Sequence, residues 1–443
     1  MLERLKQLLA ASIDIKMTTQ TNSELSIEVA YIAPLCDEKL VNEFIFVPFA
    51  KEIVSFRKEL HTIPQYIKVH DPATWTELLL SGFVLIEADG EIYSFYAARI
   101  ISDLSPVTTV ENAIQGPQLA LNEDVEKSLN LLRTMYPSPE FASEEHTLGY
   151  LSKTPVVLAY DQKRVDPVVL RNVRKKLTEI ETEMIQAAGE IARELVGGRK
   201  HLFPTVLVTE RPDRITRALA QGKITLLIKG SRFGLILPAT FFDFMHAVED
   251  DYESFWMTRT LLILRYIAVI LTVVLPAIYI ALASYNPELV RVQLAFSVNG
   301  SRAAVPYPSF IEVMLMLFMI EALVEASTRL PRYIGSTATT VGGLILGQAA
   351  QQAGLVSSIM IIVTSVVAIS NFVVPINPLM TSVRFLKYTL IPLAVFFGIS
   401  GVTVGFFAIL VYMCNLRSFG KPYLRIFGDL QKQQGDIGQV NSK

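Results

Sequence analysis

Three glutamates lie in or beside one apolar stretch of the sequence, at Glu312, Glu321 and Glu325. A carboxylate in the apolar core of a membrane costs roughly 2.5–3.5 kcal/mol on insertion scales, so it usually contacts a cation, a cavity or a pore. Glu321 and Glu325 are four residues apart and share one helix face, and Arg329 follows one turn later. The pattern predicts an ion pathway, in which carboxylates from several subunits form a ring that selects cations.

The same carboxylates also have a structural interpretation, as members of ion pairs. Glu325 is one helical turn from Arg329, and another carboxylate could pair with Arg265. Because these two cations cannot neutralise three carboxylates, we expect at least one glutamate to be left over. A water-filled path is the least costly place for it, and Glu321 is the first candidate.

Small residues recur at the spacing that lets two helices approach closely in lipid. They form two GxxxG pairs, which are Gly343 with Gly347 and Gly401 with Gly405. We interpret all four as helix-packing positions that contribute to a homo-oligomer. Three glutamines beside the first pair could line water or hydrogen-bond between helices. They are Gln348, Gln351 and Gln352.

Four ionisable side chains precede the first long apolar stretch and include types that bind metals. They are Asp243, His246, Glu249 and Asp250. We interpret them as solvated charge beside the membrane, on an amphipathic helix. The sequence shows no P-loop, no zinc-ligand spacing and no nucleophile motif. It therefore predicts no catalytic residue, no cofactor and no metal site, and a protein that is not an enzyme.

The composition is that of a membrane protein. Of 443 residues, 51% are apolar and only 19% are charged, whereas a soluble protein usually carries about 25% charge. Three long stretches contain no Asp, Glu, Lys or Arg, and about 20 such residues suffice to cross a bilayer. They are Tyr266–Pro287, Tyr333–Val383 and Tyr388–Leu416. No basic run with interleaved aromatic residues occurs, so we expect membrane lipid and not nucleic acid as a partner.

Five apolar segments are candidate membrane helices, and we expect four to six crossings. They are Leu261–Ala283, Phe310–Ala326, Thr337–Ala353, Leu355–Ile376 and Leu390–Cys414. The N-terminus lacks a signal-peptide pattern and the tail is basic, so the sequence predicts that both lie in the cytoplasm. Both ends on one side require an even number of crossings. Five full spans would violate this requirement, so one of the five segments must be misassigned.

The region before the membrane segments is predicted to be α+β, with a small α/β subdomain. The membrane segments themselves are predicted to form an all-α polytopic membrane domain. The predicted division is 1–140, an N-terminal cytoplasmic subdomain; 146–250, the cytoplasmic α/β subdomain; 251–425, the multi-span domain; and 426–443, a cytoplasmic tail. Turn signals such as Asp89-Gly90 separate short apolar runs in the first part.

The α/β subdomain has the clearest local signals. Pro155–Tyr160 and Thr205–Val208 are strand candidates, and Ile224–Leu237 is a predicted hairpin with a Lys229-Gly230-Ser231 turn. Asp166 and Pro167 form an N-cap and first-turn pair for a helix. Its apolar face is predicted to contain Leu170, Val173, Leu177, Ile180 and Met184.

Several short strings follow the order and spacing of a known family over roughly residues 150–425. Those ahead of the membrane region are Phe203-Pro204, Thr209–Asp213 and Leu237–Asp243. Those that follow are Glu325-Ala326, Arg329-Leu330-Pro331, Ile334-Gly335, Gly347–Ala350, Ala353-Gly354, Pro375, Leu416–Gly420 and Pro422–Leu424. The chain resembles the A subunit of the GerA-family spore germinant receptors. The stage V AF type, a sporulation-specific relative, shares much of the pattern, and the first 150 residues resemble the family weakly.

This resemblance implies a multi-pass protein of the inner membrane of a bacterial endospore. Such A subunits work with an amino-acid-transporter-like B subunit and a lipoprotein C subunit. The family is thought to form oligomeric channels that release cations when a nutrient binds. Two alternatives are a secondary transporter of a small solute, which often shows internal repeats, and a non-conducting scaffold for partner subunits.

Overall fold

A computed structural model describes residues 1–9, 12–22, 25–51, 53–99, 106–111, 113, 115–197, 201–329 and 332–424. They form two compact units. The first contains Met1–His201, Thr205–Ala239 and Ser418–Lys421, and the second contains Leu202–Pro204, Thr240–Arg417 and the described residues 422–424. The predicted tail, 426–443, lies outside the described residues. The architecture is an α+β region followed by a helical region, as the sequence predicts.

The first unit contains an antiparallel sheet in the order β1-β2-β4-β5-β3. Its strands are β1 (Ile15–Thr21), β2 (Ser26–Ile32), β3 (Tyr66–Lys68), β4 (Phe83–Ala88) and β5 (Glu91–Tyr96). Its helices are α1 (Leu2–Leu8), α2 (Glu38–Val41), α3 (Val47–Lys51), α4 (Ile53–Thr62) and α5 (Trp75–Leu80), with a π-helix at Asn42–Phe46 and a 3-10 turn at Pro72–Thr74. Asp89 and Gly90 both have positive φ, 54° and 79°, and join β4 to β5. The predicted turn is confirmed, because a two-residue hairpin favours such residues.

A second antiparallel sheet in the same unit has the order β6-β7-β9-β10-β8. Its strands are β6 (Phe141–Leu148), β7 (Thr154–Asp161), β8 (Leu207–Thr209), β9 (Ile224–Ile228) and β10 (Gly234–Leu237). Its helices are α6 (Val125–Met135), α7 (Pro167–Thr178), α8 (Ala188–Leu195) and α9 (Pro212–Ala220). Strands β9 and β10 are buried along their whole length, which explains why Thr225 is the one polar residue in these two strands.

Helix α7 begins as the sequence predicts. The Asp166 carboxylate accepts a hydrogen bond from the Val168 backbone N–H at 2.9 Å and caps the helix. Three predicted apolar positions are buried, namely Leu170, Val173 and Leu177. The helix ends at Thr178, so the prediction is wrong for Ile180 and Met184. Met184 is 50% exposed, since the chain leaves the helical path before reaching it.

An ion pair that is fully buried joins the two sheets of the first unit. The Arg133 side chain on α6 is 0% exposed, and its Nε donates to Asp14 Oδ2 at 2.8 Å. Ser12 and Ser143 complete the hydrogen bonds of the Asp14 carboxylate. Burial alone would raise the pKa of Asp14, but the Arg133 guanidinium outweighs it and the pKa is lowered.

The second unit is helical. Its helices are α10 (Phe241–Met245), α11 (Phe255–Ser284), α12 (Val292–Arg302), α13 (Ser309–Arg329), α14 (Arg332–Gln352), α15 (Ser358–Val373) and α16 (Asn377–Asn415), with 3-10 turns at Val248–Asp251 and Pro287–Leu289. Two helices in the described part of the chain, α11 and α16, are long and apolar enough to cross a membrane. Helix α12 is not among the predicted segments, because it is only eleven residues long and its second half is mostly polar. The last elements that the structure describes are the short strands β11 (Arg417–Ser418) and β12 (Lys421–Pro422).

Helix α16 is interrupted at Gly398, where φ is 59° and ψ is −142°. The chain then folds back on itself. The evidence is the close approach of its two arms: a Cβ at Gly401 would lie 2.2 Å from the Leu393 carbonyl oxygen. A Cβ at Gly405 would likewise lie 2.6 Å from the Leu390 side chain. In a straight helix, residues fifteen apart are about 22 Å distant. The prediction of Leu390–Cys414 as one segment is therefore wrong: two arms meet at Gly398 in an antiparallel hairpin.

Substituting alanine for Gly398 is expected to destabilise the hairpin by about 1–3 kcal/mol, the usual cost of a residue held in such a backbone region. A Cβ there would also lie 2.7 Å from Asn286 Oδ1. Thermal denaturation of the full-length protein in detergent, followed by size-exclusion chromatography, measures the loss. Gly300→Ala in α12 is the control, since nothing lies within 4 Å of its Cβ position. Equal midpoints for the two variants would contradict the hairpin geometry.

The stretch Ser418–Lys421, which follows α16, belongs to the first unit. Phe419 is 7% exposed and forms part of the apolar core that covers the second sheet. Two α7 side chains hold it: Asn172 Nδ2 donates to its carbonyl at 3.2 Å, and Lys176 Nζ lies 5.1 Å from its ring centre. Lys421 pairs with Asp166 at the start of α7.

Candidate functional site

The structure buries Glu312 completely, within a polar cluster of the helical unit. Its Oε1 accepts a hydrogen bond from the Ser357 backbone N–H at 2.7 Å, and its Oε2 accepts one from the Tyr279 hydroxyl at 3.1 Å. Arg302 Nε lies 3.3 Å from Oε2. Helices α11, α12 and α13 and the start of α15 thus converge on one carboxylate, whose charge is balanced within the chain.

Glu321 lies further along α13, nine residues after Glu312, and contacts two cations of α16. Lys387 Nζ donates to Glu321 Oε1 at 2.8 Å, and Arg384 pairs with Oε2. The Lys387 side chain is 0% exposed, whereas that of Glu321 is 25% exposed. Because a buried ammonium needs a compensating charge, this carboxylate holds α13 against α16.

Glu325 pairs with Arg329 on its own helix, at 2.7 Å from Oε1 to Nη2. Both side chains are largely exposed, 66% for Glu325 and 77% for Arg329. Of the three predicted carboxylates, Glu325 is therefore the most exposed.

The expectation that one glutamate is left without a cation is wrong. It counted only Arg265 and Arg329, whereas Arg302, Arg384 and Lys387 supply the other positive charges. Sequence reasoning missed Arg384 and Lys387 because they are 63 and 66 residues from Glu321. It missed Arg302 because this residue lies on a different helix from Glu312. Arg384 and Lys387 are three residues apart, on one face of a helix, and this spacing was the available signal.

Arg265 pairs with Asp250, and not with a carboxylate of α13. Its two terminal nitrogens contact both carboxylate oxygens, and Nη1 also donates to the Met245 carbonyl at 3.1 Å. His246 Nδ1 lies 2.9 Å from Asp250 Oδ2. Despite its burial, Asp250 has a lowered pKa because His246, Arg265 and a backbone N–H stabilise its charge. The interpretation of Asp250 as solvated is thus wrong, since it is only 4% exposed.

The four predicted packing glycines have different surroundings. Gly401 and Gly405 lie inside the α16 hairpin, against Leu393 and Leu390. A Cβ at Gly343 would make an ordinary contact, 3.5 Å, with Leu323 of α13. Gly347 faces open space, and the three glutamines that follow it are exposed. Among these four glycines, only Gly347 is therefore open to a neighbouring molecule.

The Thr209–Asp213 string holds a loop of the first unit in place. The Glu210 carboxylate accepts hydrogen bonds from the backbone N–H groups of Thr109, Val110 and Glu111, at 2.6, 2.5 and 3.1 Å. Arg211 is buried and donates to the Glu111 and Pro117 carbonyls at 3.0 Å. Both side chains are used internally, which gives this string a structural role.

The α+β region, the two helices of membrane-spanning length and the buried ion pairs between helices define a two-part protein whose second part suits a bilayer. A family profile described as Bacillus/Clostridium GerA spore germination protein matches residues 3–440. The chain belongs to this family of spore germination receptor A subunits. The match begins at residue 3, so it includes the first 150 residues, where the short strings of the sequence give the weakest resemblance.

Individual relatives agree with the profile. Spore germination protein B1 of Bacillus subtilis (strain 168) is 31% identical over 96% of this chain and 90% of its own length. Spore germination protein KA of the same organism is 31% identical over 93% of this chain and 77% of its own length. A crystal structure of the N-terminal domain of the A subunit of the Bacillus megaterium spore germinant receptor GerK3 has a TM-score of 0.41 and 22% identity, covering 54% of this chain and 94% of that one.

Proposed function

We propose that the chain is the membrane subunit of a spore germinant receptor and acts as an oligomeric, nutrient-gated cation channel without enzymatic activity. It would lie in the inner membrane of the endospore, with its N-terminal region and tail in the cytoplasm. Family membership supports the receptor assignment. By the same resemblance its partners are a transporter-like B subunit and a lipoprotein C subunit.

The helix connections support this topology. Tyr279 near the end of α11 contacts Glu312 near the start of α13 and Ser357 at the start of α15, so these three ends share one level. The Gly398 turn lies beside Asn286, just after α11. The described apolar helices then number six, when the two arms of α16 are counted separately. They are α11, α13, α14, α15 and the two arms of α16. An even number would return the chain to its starting side.

The observation that carries the channel proposal is the polar surface of α13 and α14. Glu325 is 66% exposed, and Gln348, Gln351 and Gln352 are exposed as well. Ionisable and amide groups are costly against lipid. In a homo-oligomer this surface would face other copies, where Glu325 and Arg329 repeat around the axis and line a water-filled path.

Two substitutions of opposite charge test the path. Glu325→Gln removes a negative charge without changing the shape, so the cation preference of the channel should fall. Arg329→Gln removes the positive charge one turn away, so the cation preference should rise. The measurement is the reversal potential of the purified chain in liposomes under a salt gradient. Reversal potentials equal to that of the parent in both variants would contradict a Glu325 pathway.

A second candidate, the non-conducting scaffold, is favoured by the ion pairing of Glu312, Glu321 and Glu325 within one chain. Carboxylates that are already neutralised need no permeant ion. An oligomer that assembles in liposomes but conducts no ions would favour the scaffold. Accumulation of a solute against its gradient without ionic conductance would favour the third class, a secondary transporter.

A further inference from the structure

A cleft of about 170 Å³ lies between α11, α12 and α15, beside the Glu312 cluster. Its walls are almost entirely apolar and include Leu275 and Ile278 of α11 and Ile359 and Val363 of α15. Asn299 and Tyr279 carry polar groups among the lining side chains, and the Tyr279 hydroxyl already contacts Glu312 and Ser357. A polar solute would therefore find few hydrogen-bond partners in the cleft.

Helix α12 covers the cleft without being packed into the unit, since none of its residues is buried. Ala295 and Val298 line the cleft. Val292 and Phe296 point elsewhere and are 70% and 72% exposed. The apolar side of this helix is thus shared between the cleft and the outer surface.

The cleft lies against the side of α11 that carries exposed apolar residues. Ile267 is 48% exposed, and Ile278 lines the cleft. They are eleven residues apart, about three helical turns, so they lie on one side of the helix. If α11 crosses the bilayer, the apolar surface of the cleft continues the surface that lipid covers.

We propose that this cleft binds an acyl chain of a membrane lipid, with α12 as its cover. An engineered apolar cavity of about 150 Å³ takes up one benzene molecule. A cleft of about 170 Å³ therefore holds a stretch of roughly six carbons. The bound chain would pack against Tyr279 and so support the hydroxyl that holds Glu312.

This inference rests on the proposed membrane insertion, and the experiment separates the two. The full chain is reconstituted in phosphatidylcholine liposomes containing a lipid with a photoactivatable diazirine on its acyl chain, and crosslinks are located by mass spectrometry. We expect label in the cleft at Ile359 and Val363, and also on the outward Ile362. Ala295→Phe should fill the cleft and abolish the first two crosslinks only. Ser297→Phe, which adds the same side chain on the polar face of α12, should retain all three.

The pattern of crosslinks distinguishes the lipid site from membrane insertion. Label at Ile362 without label at Ile359 and Val363 overturns the lipid site and leaves the cleft to a protein neighbour. Label in the cleft that persists in Ala295→Phe also overturns it. Absence of label at Ile362 and at Ile267 of α11 contradicts membrane insertion itself, and with it the proposed function.

Discussion

Glu321→Gln is expected to lower the free energy of unfolding by about 3–5 kcal/mol, the usual effect of removing one partner of a buried ion pair. The Lys387 ammonium is fully buried and would lose its counter-charge, as would Arg384. Denaturation of the full-length protein in mixed detergent–SDS micelles measures the change. The cost arises from the cations left behind, and not from the glutamate itself.

Glu325→Gln is the matched control, because the Glu325–Arg329 pair is mostly exposed. An exposed pair one turn apart contributes about 0.3–0.5 kcal/mol. The double variant Glu321→Gln with Lys387→Met should recover part of the lost stability, since it removes the buried charge. Similar losses from Glu321→Gln and Glu325→Gln would show that Lys387 is not buried against α13.

Arg133→Met is expected to destabilise the first unit by a similar amount, about 3–5 kcal/mol, because it leaves the Asp14 carboxylate buried without a cation. Asp14 is 2% exposed and Arg133 is 0% exposed. Adding Asp14→Asn to the variant should restore part of the stability. Arg57→Met is the control, since its pair with Asp89 is exposed, and it should cost less than about 1 kcal/mol.

The pH dependence of unfolding gives the same pair a second readout. The folded-state pKa of Asp14 is below its usual value of 3.8, so its stabilising effect is complete above pH 3.8 and is lost as the pH falls through the folded pKa. The parent should therefore lose stability below pH 3.8 more steeply than Asp14→Asn. Parallel curves for the two proteins would mean that Asp14 does not titrate differently on folding.

Local features of this fold could be predicted from neighbouring residues. Asp89-Gly90 selects a tight turn and Asp166-Pro167 begins α7, because the side chains that decide these conformations are adjacent in sequence. The charge-free stretches likewise predicted most of the apolar helices, since hydrophobicity is a property of the segment itself.

The candidate site could be predicted only in part. Glu321 and Lys387 are 66 residues apart, and nothing local says which cation a carboxylate meets. The break at Gly398 was missed for a related reason. Glycine at a helix contact and glycine at a helix turn have the same sequence signal in an apolar segment, and only the backbone dihedral angles distinguish them.

The position of Phe419 in the N-terminal core constrains the order in which the protein can be completed. The ribosome makes residues 1–239 first, yet this core receives its last side chain only after every apolar helix has been translated. Until then, Asn172 and Lys176 lack the partner that they hold in the finished protein. The N-terminal unit can therefore reach its final form only on chains whose synthesis has passed the last helix, and a chain that stops at Asn415 would leave this part of its core open.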